Sequence, residues 1–344
     1  MGRRRGGDDA MGVKHPLVVL LGATGFLGSA VLRECARRPV RIRAVARRPS
    51  AVPADARAEI EVRTADLTEP GAMAAAVADA DVIIHTVAYI AGSSTWRIGD
   101  GDTAAERVNV GLMRDLIRAV AARPGAGPPP GVLFAGAVTQ VGRAGKEVLD
   151  GAEPDRPEGE YDRQKLAAER LLLAADADGV VRGASLRLPA VFGYGPHSTA
   201  RDKGVVSTMV RRALSGEALP LWHDGSVRRD LLYVEDAARA FATGIDHIGA
   251  LSGRHWLLGT GRSTALKDVF TRIAEMVAEY SGEPPVDVVH VQPPDYADGG
   301  DFRSLTIDSA AFRAAAGWRP QVPLDAALRR TVAFCAAGAE SRLP

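Results

Sequence analysis

At 344 residues the chain is long enough for one large domain with an added lobe, and its 46% hydrophobic and 25% charged content is that of a globular protein. With 43 basic against 42 acidic residues the net charge is +1, so no global field draws it to nucleic acid or to a membrane surface. No apolar run approaches the roughly 20 residues of a bilayer span, and the two cysteines, Cys35 and Cys335, lack metal-ligand spacing, which predicts a reduced, cytoplasmic chain without a metal.

Residues 1–14 hold arginines and glycines but no apolar run, and are expected to form a disordered tail. Leu17–Leu21 is an apolar run ahead of a glycine, the pattern of a short strand buried on both faces. Gly22-Ala23-Thr24-Gly25-Phe26-Leu27-Gly28 follows, and helical apolar spacing continues from Ser29 to Arg38. Strand, glycine turn and helix together hold a phosphate. Gly22 permits the tight turn, Gly25 lets backbone approach a pyrophosphate, and Gly28 lets helix and strand pack closely. The helix start adds N–H groups and a positive dipole end, so Gly22, Thr24, Gly25, Phe26, Leu27 and Gly28 are read as a dinucleotide cradle.

Val40–Ala46 is a second strand that runs into Arg47 and Arg48. An acid there would bind the ribose 2′-hydroxyl of NAD, whereas two bases suit the 2′-phosphate of NADPH. A third strand over 59–65 is closed by Asp66 and Leu67, where the carboxylate either meets the adenine amino group or caps a helix over 70–78. The fourth strand contains His85, expected to be a packed residue, and ends at Ala88 and Tyr89, facing the cofactor. A polar loop over 91–103 on the same edge brings Ser94 and Trp96 toward substrate. A single long helix over 104–122 contains Asn109, which is either a tertiary hydrogen-bonding residue or a surface one.

Gly131–Gly136 is the fifth strand, Ala137-Val138-Thr139 follows it, a helix opens at Tyr161, and 183–188 is the sixth strand. This alternation predicts an α/β fold with a Rossmann-type doubly wound parallel sheet. From Pro189 the pattern changes to short strands, turns and helices, including a hairpin at Leu219–Gly225 with an Asp-Gly turn. The expected organisation is a cofactor domain over 15–190 and a smaller α+β substrate-binding lobe over 191–344. Segments near 228–246 are expected to return to the first domain.

Tyr161 and Lys165 are spaced to share one helix face. Reducing a ketone needs hydride at carbon and a proton at oxygen. A neighbouring ammonium is expected to lower the tyrosine pKa from its ordinary value near 10 and make it an acid/base, while the lysine also reaches ribose hydroxyls.

On these residues, with Glu169, Arg187, Gly193, Arg229-Asp230, Tyr233-Val234-Glu235-Asp236 and Gly317-Trp318-Arg319-Pro320, the chain resembles the extended short-chain dehydrogenase/reductases, nucleotide-sugar branch, from about Leu17 to Ala336. The resemblance implies Tyr161 as acid/base, Lys165 as its support, and Pro189 and Val191 beside the nicotinamide. It implies Arg229 on the diphosphate of a sugar nucleotide, Arg303 as a second such arginine, and a homodimer formed by the helices after the fourth and fifth strands. Three departures narrow the reaction. The family's serine or threonine is Ala137 here, and Thr139 is the nearest hydroxyl to replace it. The Asp-Glu pair of the sugar dehydratases is Val138-Thr139, so dehydration is not expected. A substrate-contacting asparagine is Ala190. Segments 134–142 and 198–204 are similar to 4-ketoreductases that finish dTDP-6-deoxysugars for antibiotic glycosylation. The expected activity is therefore NADPH-dependent reduction of the C4 ketone of a dTDP-linked keto-deoxysugar. An NAD-dependent nucleotide-sugar 4-epimerase and a non-catalytic NADP-binding regulator are the alternatives.

Overall fold

The computed structural model describes residues 15–89, 98–124, 127–294, 297, 299–338 and 341, so the expected tail over 1–14, and Ser94 and Trp96, lie outside the described residues. The strands, in chain order, are β1 Leu17–Leu21, β2 Arg41–Ala46, β3 Glu59–Thr64, β4 Val82–His85, β5 Gly131–Ala137, β6 Val148–Leu149, β7 Arg182–Leu188, β8 Ala190–Phe192, β9 Leu219–Trp222, β10 Arg228–Tyr233, β11 Arg254–Leu257, β12 Ser263–Ala265, β13 Val288–Val291 and β14 Thr306–Ile307. The helices are α1 Phe26–Ala36, α2 Ala72–Val77, α3 Thr103–Glu106, α4 Leu112–Ala121, α5 Glu160–Ala177, α6 Val205–Leu214, α7 Val234–Leu251, α8 Leu266–Ser281, α9 Ala310–Ala316 and α10 Leu324–Ala336.

Seven strands form the main sheet in the order β11-β7-β5-β4-β1-β2-β3, and every pairing in it is parallel. This is the predicted doubly wound α/β sheet. Its apolar runs follow from burial on both faces. Val18 and Leu20 of β1 pack with α1 and α7, while Leu17, Val19 and Leu21 pack with α2, α4 and α5. The chain winds from β1 out to β3 and then returns to place β4 on the other side of β1. The carboxyl ends of β1 and β4 are therefore the crevice where such sheets take ligands.

After β8 the chain builds a smaller core from α6, α8 and α10 packed on β9 and β10. Within that half, α7 lies on β5 and β7 and β11 extends the main sheet beside β7. The Trp318 segment docks there as well: its indole donates to Asp236 O (3.1 Å), and Gln321 N and Val322 N donate to the Asp236 carboxylate (2.6 and 3.0 Å). No helix among the described residues is long and apolar enough to cross a membrane.

Two expected elements differ. The helix over 104–122 is not one helix: α3 passes into a π turn over Arg107–Gly111 before α4. The extra residue in that turn directs Asn109 inward, where it is 2% exposed. The hairpin at 219–225 does not form, because β9 pairs in parallel with β13, whereas β10 pairs with β8 and β12. Asp224 does make a turn, accepting from Ser226 N (2.9 Å) and Ser226 Oγ (2.7 Å), but the strands on either side of it join different sheets.

Candidate active site

The glycine turn leaves β1 at the point where the winding direction reverses. Gly22 has φ +90°, and a Cβ there would lie 2.8 Å from Thr86 Oγ1. Gly28 is tighter still: a Cβ would sit 2.0 Å from the Gly22 carbonyl oxygen. Gly25 is exposed at the head of α1, followed by half-buried Phe26 and Leu27. The first N–H groups of α1 thus meet a surface with no side chain in the way, the arrangement that accepts a pyrophosphate. Gly28→Ala is expected to push α1 away from β1 and weaken dinucleotide binding by roughly tenfold or more, measured by titration calorimetry; native affinity would contradict this reading of the turn.

At the end of β2, Arg47 and Arg48 are exposed. Arg47 adds its charge near Asp66, whose carboxyl is held below the usual range mainly by hydrogen bonds from Thr68, with Arg47 and Arg107 assisting. Asp66 caps its own turn, accepting from Thr68 N (2.9 Å) and Oγ1 (2.7 Å), rather than capping α2, whose N-cap is Gly71. Leu67 is buried in the core under that turn. Arg48 borders a cavity of about 620 Å³ between α1 and residues 48–55, which Ala23 and Thr24 connect to the glycine turn. His197 and Thr199 from beyond β8 close its far side.

Across the crevice, α5 presents Tyr161 and Lys165. Lys165 is 3% exposed; its Nζ donates to the Ala135 carbonyl (2.8 Å), stands 4.7 Å from the Phe134 ring centroid and 5.8 Å from that of Tyr161. Burial lowers the Lys165 pKa to about 7. The expected lowering of the tyrosine pKa is not found: burial pushes the Tyr161 hydroxyl up, and the neighbouring Asp162 charge adds to it. A desolvated lysine that spends its ammonium on a backbone carbonyl does not offset the loss of water around the phenol. Asp162 itself has no signal in the sequence. It accepts from Thr139 Oγ1 (2.5 Å), so the hydroxyl that follows β5 is held on α5 by the residue next to Tyr161. Val138 turns the other way, into a small cluster with Val141, Leu149, Leu257 and Ile307. Ala137 offers only its backbone N–H, donated to Gln140 Oε1 (2.7 Å).

His85 is a packed residue, fully buried and edge-on to Phe134 with ring centroids 5.6 Å apart. Burial, with Lys165 nearby, lowers its pKa to about 3, so it is neutral. Asn109 proves to be a tertiary residue. Its amide accepts from Tyr89 N (2.7 Å) and donates to Tyr89 O (3.3 Å) and to Gln164 Oε1 (2.9 Å). The segment after β4, with half-buried Ala88 and Tyr89, is thereby tied to α5. Pro189 joins β7 to β8, and Val191, within β8, packs against the core.

Beneath α5 lies a buried ionic network. Arg187 is fully buried and pairs with both Asp155 oxygens (2.6 and 2.9 Å) and with Glu169. Glu169 also accepts from Gln140 Nε2 (3.0 Å) and Ser185 Oγ (2.6 Å). Arg229 is spent locally: its guanidinium donates to the carbonyls of Gly300 (3.2 Å), Asp301 (2.8 Å) and Arg303, which shapes the loop that carries Arg303. Arg303 in turn pairs with Glu158, just ahead of α5, where Arg143 also approaches (3.4 Å). Arg303 is thus brought to the start of α5, and Arg229 to the loop behind it.

The sequence of residues 18–259 matches the family model described as "NAD dependent epimerase/dehydratase family". Curated relatives include a dTDP-L-rhamnose 4-epimerase from Burkholderia thailandensis, 28% identical over 90% of this chain and 92% of its own. A dTDP-6-deoxy-L-talose 4-dehydrogenase (NAD(P)(+)) from Kitasatospora kifunensis is also 28% identical, over 91% of this chain and 93% of its own. Among solved structures, MoeE5 in complex with UDP-glucose and NAD superposes with TM-score 0.76 at 25% identity, over 94% of this chain and 99% of its own. RMD from Pseudomonas aeruginosa complexed with NADPH shares the fold at TM-score 0.70 and 21% identity, over 95% of this chain and all (100%) of its own. The matched segment includes the glycine turn, the Tyr161–Lys165 helix and β10, and the chain belongs to the NAD dependent epimerase/dehydratase family.

Proposed function

We propose that this protein is a nucleotide-sugar 4-ketoreductase that uses NADPH to reduce the C4 ketone of a dTDP-4-keto-6-deoxyhexose. The observation that carries the reading is the pairing of a basic β2 end with a tyrosine held protonated. Arg47 and Arg48 stand where an NAD enzyme needs an acid. Burial and Asp162 keep the Tyr161 phenol in its O–H form, the form a proton donor requires. NADPH seated on the glycine turn supplies the hydride. Tyr161 gives the proton to the oxygen at C4, and Lys165 orients Tyr161 and the ribose. Thr139, held by Asp162, hydrogen-bonds the sugar, Arg303 meets the diphosphate, and Arg229 shapes the loop that carries Arg303. Val138 and Thr139 carry no carboxylate to remove water from the sugar, which sets aside dehydration. Two relatives that align over nine-tenths of the chain are both named for chemistry at position 4 of a dTDP-linked sugar.

One of those relatives is an epimerase, and this supports a second reading in which NAD stays bound and the hydride returns to the opposite face. Heating the purified protein and identifying the released nucleotide separates the two. The reductase reading predicts no stoichiometric NAD and NADPH consumption on the keto sugar; a full complement of NAD with no net consumption would contradict it.

A further inference from the structure

We propose that Arg33, together with Ser50 and Arg48, holds the 2′-phosphate of the cofactor and sets its preference for NADPH. The inference rests on the NADPH reading above and names residues that the basic pair ending β2 does not include. The cavity of about 620 Å³ beside α1 is of ligand size and opens onto the glycine turn through Ala23 and Thr24. Its walls bring Arg33, Arg37 and Arg48 together, with Asp55 as the acidic side chain lining it. Arg33 Nη1 and Ser50 Oγ are both enclosed and have no hydrogen-bond partner among the described residues. Buried donors left unpaired are costly, and two of them in one basic cavity call for an acceptor with several oxygens. A phosphate monoester supplies those oxygens and the opposing charge.

Helical side chains lean toward the helix N-terminus, the end of α1 that carries the glycine turn. The carboxylate whose charge acts on Arg33 is Glu235 of α7, itself paired with Arg330 at 3.2 Å. Burial outweighs it and makes the Arg33 cation harder to hold, with Arg37 adding like-charge repulsion. An anion in the cavity relieves both. Arg47, by contrast, is not among the cavity walls and lies toward Asp66. Of the two arginines ending β2, the geometry gives the phosphate to Arg48.

Adenosine 2′,5′-bisphosphate and 5′-AMP differ only in the 2′-phosphate, so calorimetric titration with both tests the assignment without any turnover. The native protein is expected to bind the bisphosphate more tightly. Arg33→Met is expected to lose roughly tenfold or more of that advantage, with Ser50→Ala losing a smaller share and Arg33→Lys intermediate. AMP affinity reports that each variant is folded, and Ser50→Ala leaves the α1 packing untouched. If the native protein prefers the bisphosphate but Arg33→Met and Ser50→Ala keep the preference, or Arg47→Met alone removes it, this assignment is wrong and the NADPH reading stands. If the native protein shows no preference, the NADPH reading itself falls.

Discussion

Tyr161→Phe is expected to lower turnover of the keto sugar by roughly 10²–10⁴-fold while NADPH still binds as it does to the native protein. The phenyl ring keeps the packing beside Lys165, whose Nζ lies 5.8 Å from the ring centroid, and removes only the hydroxyl. What is lost is the proton for the oxygen at C4 as hydride arrives at carbon. The direction of the Tyr161 shift also predicts a pH profile. Burial and Asp162 raise the phenol pKa, so the donor stays protonated through neutral pH and reduction declines only on the alkaline side. Asp162→Asn removes the charge that assists this, and should move the alkaline limb to lower pH with little change in cofactor binding. Steady-state kinetics across pH check both variants; near-native turnover in Tyr161→Phe would reject Tyr161 as the donor.

Glu169→Leu is expected to destabilise the fold by about 3–5 kcal/mol, because it strands a buried guanidinium. Arg187 is 0% exposed, and Glu169 takes donors from Arg187, Gln140 and Ser185 at once. With Glu169 gone, Arg187 keeps Asp155 on one side and loses its carboxylate on the other, and Gln140 and Ser185 lose their acceptor. The double variant Glu169→Leu with Arg187→Met removes both charges and is expected to recover part of that loss, since the penalty lies in the unpaired ion rather than in the missing pair. Urea unfolding of the native protein, the single variant and the double variant measures this coupling. A single-variant loss below about 1 kcal/mol would show that water reaches the network and that it does not hold α5 in place.

Much of this architecture is legible in the chain because the physics is local. Leu17–Leu21 is apolar throughout because both faces of a central parallel strand are covered, and the turn after it needs Gly28 because no Cβ fits against the Gly22 carbonyl. The Tyr161–Lys165 pair is legible through helical spacing only in combination with the glycine turn that precedes it, since the spacing by itself also fits a surface pair. What stays hidden depends on distant partners. The π turn over Arg107–Gly111 leaves no mark on the hydrophobic period, so Asn109 reads equally well as surface. Nothing in Leu219–Trp222 reveals that β13 will be its partner. Arg33 looks like any outward arginine on a helix until the segment over 48–55 and the chain beyond β8 close a cavity over it. The Tyr161 shift went against expectation because it is set by desolvation, which no spacing in the sequence reports.

The most direct test of the central claim is to incubate the protein with dTDP-4-keto-6-deoxyhexose and NADPH carrying deuterium at the transferable position of the nicotinamide. The account predicts one NADP⁺ formed for each sugar reduced, with the label at C4 of the product. Interconversion of two C4-epimeric dTDP-hexoses with no NADPH consumed and no label gained would contradict it.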